Sequence, residues 1–179
     1  FFVETAFDQD FSTSLVAGMI VALGRGLDFS FLYRYYGKDY HSLFSNSFAE
    51  YSSTINEEGL YMGIQYKPGN RWRASAYSDI FRSQWIRAGL NSRPIGWKYL
   101  LQVNYDPSKT TAAYIRFRHQ QYLDGYAESA STGLRIHVQQ RFHPNWEWRG
   151  RLETNWIWEQ KRTITRGTLL FSDFFFEPI

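Results

Sequence analysis

Cysteine is absent from all 179 residues. This excludes a disulfide scaffold, a thiolate metal site and a cysteine nucleophile, and it fits either a reducing cytosol or a bacterial surface protein that needs no covalent staples. The four histidines, His41, His119, His137 and His143, are too scattered for metal-ligand spacing, so we expect neither a metal nor a cofactor. A strong charge of one sign is also missing: Lys+Arg 20 against Asp+Glu 17 leaves a formal net charge of +3. That is too weak to argue for nucleic acid as a partner, and the basic residues alternate with apolar ones and form no runs. Long apolar runs are lacking too. The longest, "LVAGMIVALG", is about half the roughly 20 residues a membrane-spanning helix needs. No start Met, signal peptide or basic leader precedes "FFVETAF", and we expect a processed chain or a fragment. No composition shift divides it, so residues 1–179 read as a single domain.

What the chain does have is aromatic residues, at 20%, and regular punctuation. Short turn signals recur as "GRG" (24–26), "KPGN" (67–70), "DPSKT" (106–110) and "HPN" (143–145). Their spacing of about 40 residues leaves room for a strand out, a longer connection and a strand back. The longer connections are expected at 37–58, 83–94, 121–130 and 159–166. Segments between them alternate with period two, the mark of a strand with one apolar and one polar face. In "WKYLLQVNY", Trp97, Tyr99, Leu101, Val103 and Tyr105 share a face; in "TGLRIHVQQRF", Leu134, Ile136 and Val138 oppose Arg135, His137, Gln139 and Arg141. We predict ten strands near 1–7, 12–23, 27–36, 59–67, 71–82, 95–105, 111–121, 131–142, 146–158 and 167–177.

Alternation alone fits a soluble sandwich as well as a membrane barrel. "HPNWEWRGRLETNWIWEQ" favours the latter. Trp146 and Trp148 stand at one end of the segment and Trp156 and Trp158 at the other, on one parity, with Glu147, Arg149, Arg151 and Glu153 on the opposite parity between them. At about 3.3 Å per residue and a tilt near 40°, the outer pair spans about 30 Å and the inner pair about 20 Å. These lengths bracket the roughly 25 Å apolar band between the aromatic girdles of outer-membrane barrels. Trp72 and Trp97 are expected beside short turns, level with Tyr66 and Tyr105, while Trp85 and Tyr35 fall near the long connections.

The stretches "YRYYGKDYHSLFSNSFAE", "NEEGLYMGIQYKP", "ASAYSDIFR" and "WKYLLQVNYDPSKTTAAYIRFRH" resemble the barrel portion of a family of Bacteroidota proteins catalogued as helix-hairpin-helix domain-containing proteins. The resemblance implies a large outer-membrane barrel preceded by a small helical, DNA-binding-like region. It is a pattern of strands and loops with no catalytic signature. The helical region has no counterpart here, and the last residues, "SDFFFEPI", are unlike a closing strand that ends on an aromatic. Both departures lead us to expect an internal piece of a longer barrel, with no nucleic-acid role in this segment.

On the face expected to line an interior, Arg71, Arg73, Lys98, Arg116, Arg118, Arg135, Arg141, Arg149 and Arg151 stand against Asp79, Glu147 and Glu153. Such a surplus can attract anions, or it can pair with acids of further strands in a packed plug. The connection "GKDYHSLFSNSFAEYSSTINEEG" carries Tyr40, His41, Phe44, Phe48 and Tyr51. It reads as a recognition loop or as a loop folded over the barrel mouth with its aromatics inward. His119 falls on the apolar parity near a rim, but no Gly-x-Ser-x-Gly and no carboxylate spacing accompany it, and we expect no enzymatic activity. The expectation is therefore an all-β, antiparallel up-and-down transmembrane β-barrel in the cell outer membrane, porin-like in architecture. It would contact outer-membrane lipids and other surface subunits, and act as a channel, scaffold or component of a surface complex. The alternative is a soluble β-barrel or β-sandwich that binds a ligand.

Overall fold

The computed structural model describes residues 1–41, 48–50, 55–86, 92–124, 127–159 and 162–177. Ten strands follow one another: β1 (Phe2–Phe7), β2 (Thr13–Gly24), β3 (Leu27–Tyr36), β4 (Glu57–Tyr66), β5 (Trp72–Arg82), β6 (Ile95–Ser108), β7 (Thr111–Asp124), β8 (Ala127–His143), β9 (Trp146–Glu159) and β10 (Arg162–Phe176). They form one antiparallel up-and-down sheet in sequence order, and no helix occurs among the described residues. The sheet is open: β1 pairs only with β2, β10 only with β9, and the two end strands do not meet. Every predicted strand exists, with ends within a few residues of expectation.

Alternation fixes the register. One row of directly opposed residues runs Tyr66, Ala74, Val103, Ile115, Ile136, Leu152 and Leu170. The row one residue away runs Gln65, Ser75, Gln102, Arg116, Arg135, Glu153 and Leu169. Because strand side chains alternate sides, the two rows lie on opposite faces. The first face is apolar and the second polar from β4 to β9.

Two of the long connections foreseen in the sequence are absent. β7 and β8 pair as far as Asp124 and Ala127, and β9 and β10 as far as Glu159 and Arg162. Tyr122 and Leu123 keep the alternation going up to Asp124, and Thr163 and Thr165 are β-branched. The connections after β3 and β5 remain long. Among the short turns, Gly26 has φ +76°, and a Cβ there would lie 2.3 Å from the Lys67 carbonyl oxygen, so only glycine fits that hairpin beside the β4–β5 turn.

At the opposite rim, Asp8 organises the β1–β2 turn. Its Oδ1 accepts from the backbone N–H groups of Asp10 (3.0 Å) and Ser12 (2.8 Å), and its Oδ2 from His41 (3.1 Å). Desolvation raises the carboxyl's pKa, but these three N–H donors, with the charge of His41, outweigh it and hold Asp8 below its ordinary value of 3.8.

Candidate functional site

Burial across the two faces is the reverse of a water-soluble domain's. Among the described residues, the buried hydrophobic ones are Tyr36, Tyr40 and Phe81, along with the buried polar or charged Ser14, Arg34, Asn56, Glu57, Asp79, Ser83, Asn104 and Glu147. On the apolar face, large hydrophobic side chains lie open: Leu101 is 51% exposed, Ile115 53% and Leu170 80%.

The most enclosed part of the polar face lies toward the rim of the long connections. Arg34, Glu57 and Asp79, from β3, β4 and β5, are 0%, 0% and 2% exposed. Arg34 donates from Nε to Glu57 Oε1 (2.6 Å) and from Nη1 to Asp79 Oδ1 (2.8 Å). The connection after β3 folds back onto this cluster. Glu50 donates its backbone N–H to the Glu57 carboxylate at 3.0 Å, and its own carboxylate pairs with Lys98 on β6. The Phe48 ring meets Arg34, whose Cζ is 5.1 Å from the ring centroid, and packs edge-on against Tyr61. Tyr36 donates its hydroxyl to the Phe48 carbonyl (3.1 Å). Gly59 leaves room for this arrangement, since a Cβ there would come within 2.4 Å of Arg34 Cζ and force the guanidinium to shift. Beside the cluster, Phe2, Ile20, Leu32, Phe48, Tyr61 and Tyr77 line a cavity of about 520 Å³.

Of the five residues expected to form a recognition loop, Tyr40 is buried, and Phe48 touches Tyr61 edge-on while staying 51% exposed. His41 is exposed and tied to Asp8, while Phe44 and Tyr51 lie outside the described residues.

Eight of the nine predicted basic residues share the polar face by register: Arg73, Lys98, Arg116, Arg118, Arg135, Arg141, Arg149 and Arg151. Arg71 lies in the turn before β5, where its carbonyl accepts from the Asp106 N–H (2.8 Å). Several of the others are paired: Arg135 with Glu153 (2.7 Å), Arg141 and Arg149 both with Glu147 (3.1 and 2.5 Å), and Arg73 loosely with Asp106 (3.9 Å). Arg116 donates Nε to Gln102 Oε1 (2.6 Å). Arg151 Nε and His137 Nδ1 are buried without a partner.

The predicted interface aromatics share the apolar face, with one correction. Trp72 packs against Tyr105 with ring centroids 4.3 Å apart and Trp146 against Phe176 at 4.6 Å, both pairs tilted and both at the short-turn rim. Trp148 donates Nε1 to Ser172 Oγ (2.9 Å). Trp156 and Trp158, opposite Thr132 and Ala130, stand toward the other rim. Trp97, expected beside a short turn, is instead opposite Ile80 and Gln121, at the rim of the long connections. It follows the 83–94 connection directly, and strand direction then places it at the far end of β6 from Tyr105. His119 bonds through Nδ1 with Thr132 Oγ1 (2.8 Å) and stacks on Tyr99; among the described residues no carboxylate is hydrogen-bonded to its ring.

The Arg34 cluster is what sequence reasoning missed. The signal was the inversion in "YRY", where Arg34 takes the parity opposite Tyr33 and Tyr35, but its partners come from separate elements. No family model, curated protein or solved structure matches the chain.

Proposed function

We propose that this chain is part of an outer-membrane β-barrel that serves as a channel, scaffold or component of a cell-surface complex, with membrane lipid against its apolar face. The observation carrying this reading is the inverted burial: charged Arg34, Glu57 and Asp79 are enclosed while Leu101, Ile115 and Leu170 are open. In water such an apolar face would be a large exposed patch of the kind that drives aggregation or association; against acyl chains it is in its proper solvent. Tyrosines and tryptophans near both rims, including Trp72 with Tyr105 and Trp156 with Trp158, suit the two headgroup levels, since indole and phenol have an apolar body and a polar tip.

The open edges extend the reading. In hydrocarbon each unpaired backbone group costs several kcal/mol, and β10 carries large apolar side chains on both faces, as in Leu169, Leu170, Phe174 and Phe175. Further strands, from the same polypeptide or a second subunit, would complete the sheet. Cell fractionation tests the location. The protein should sediment with outer membranes and be released only by detergent; release by salt or osmotic shock would rule the proposal out.

A further inference from the structure

Five successive cross-strand rows on the polar face of β7–β10 contain Arg116, Arg118, Arg135, Arg141, Arg149 and Arg151 against Glu147, Glu153 and Asp173. Six guanidinium groups thus meet three carboxylates. Asp173 lies opposite Arg149 without forming an ion pair among the described residues, and Glu147 is shared between two arginines. Within this surplus the unmet groups are adjacent. His137 and Arg151 are direct cross-strand partners, and each has a buried ring or guanidinium nitrogen with no partner. One row along, Arg116 faces Arg135; Glu153 meets the charge of Arg135, while Arg116 has only the neutral Gln102. Arg118 follows on β7, opposite Gly133, exposed and with no carboxylate partner among the described residues.

We propose that this face of β7–β9 binds a polyvalent phosphate, held chiefly by Arg118 and Arg151 with Arg116 beside them. Cross-strand neighbours stand about 5 Å apart and successive same-face positions about 7 Å, so Arg118 and Arg151, two strands and two rows apart, bracket an area wider than one carboxylate, within reach if Arg151 swings from Phe171 and Arg116 from Gln102. Two linked phosphate groups span such an area and offer several acceptor oxygens. The planar guanidinium fork matches phosphate oxygens two at a time, and an enclosed basic face concentrates anions. A free polyphosphate or phosphorylated sugar and a phosphorylated lipid headgroup share this chemistry.

The inference rests on the proposed barrel only in placing this face at an interior. Calorimetric titration of the full chain in non-ionic detergent tests it, with sodium pyrophosphate in one arm and phosphatidic acid in mixed micelles in the other. Saturable pyrophosphate binding that weakens tenfold or more in Arg118→Gln with Arg151→Gln, and holds in Arg25→Gln, is the expected result. The single variant Arg118→Gln, at an exposed position, should lose several-fold by itself if the double variant fails to fold. Binding confined to phosphatidic acid, with the same arginine dependence, would assign the phosphate to a lipid headgroup. Binding of neither ligand, or equal affinity in wild type and folded variants, would overturn the site. Pyrophosphate binding by protein released without detergent would instead sink the membrane reading and keep the site.

Discussion

The polar face treats its charges differently in its two halves. From β3 to β6, Arg34 and Lys98 are enclosed with Glu50, Glu57 and Asp79, and the connection after β3 covers them. In five rows of β7–β10, six arginines share three acids; Arg151 Nε and His137 Nδ1 are buried there without a partner, as Arg34 Nη2 is in the first half. The first arrangement suits a fixed internal brace, because a buried charge is tolerated when it is paired and hydrogen-bonded. The second leaves positive charge available for something beyond the sheet. The same alternating pattern thus supports two roles, and the difference lies in whether acids arrive from neighbouring elements.

Removing a charge should therefore cost most in the matched half. Arg34→Ala strands Glu57 and Asp79 in an enclosed site and should destabilise the fold by about 3 to 5 kcal/mol, read by urea unfolding of protein refolded into vesicles. A loss under 1 kcal/mol would mean that water reaches the cluster freely. Next in size is a test of the faces. Ile136→Arg on the apolar side should cost about 2 to 4 kcal/mol near the bilayer midplane, whereas Ile136→Leu should be tolerated.

Gly59→Ala forces a methyl against the immobilised guanidinium of Arg34 and should cost about 1 to 3 kcal/mol by the same assay. Combining it with Arg34→Ala should yield less than the sum of the two. In the unmatched half, Arg118→Gln should move stability by no more than about 0.5 kcal/mol even as it weakens phosphate binding. A large stability loss there would erase the distinction between the halves.

The smallest effect concerns the rim. Because the Asp8 carboxyl is depressed in the folded state, its contribution is fully present above the ordinary carboxylate value and is lost as the pH falls through the folded value. Amide exchange at Ser12 and His41, referenced to a distant hairpin, should accelerate over that acid window in wild type and already be fast at neutral pH in Asp8→Ala.

Much of this fold is legible in the sequence because period-two alternation specifies strand, face and register together, as the Ile115, Ile136 and Leu152 row illustrates. Short turns declared themselves through residues such as Gly26, Pro144 and Asn145. Loop length was less legible: Ser and Thr near 129–132 resemble a polar connection, yet they continue β8 to Ala127. The placement of Trp97 went astray because parity gives a residue's face, whereas its height depends on counting strand directions through the connections. The Arg34 cluster was invisible for a different reason. Its members are joined by distance in space across Glu50, Glu57, Asp79 and Lys98, and no local pattern encodes that meeting.

The assignment of lipid to the apolar face is open to one direct measurement, aided by the absence of native cysteine. Single cysteines at positions 135 and 136, labelled with a fluorophore in protein reconstituted into vesicles, can be challenged with acyl-chain-brominated lipid. A barrel with lipid on its apolar face gives strong quenching at Ile136→Cys and little at Arg135→Cys; equal quenching at both, or quenching only at position 135, would contradict it.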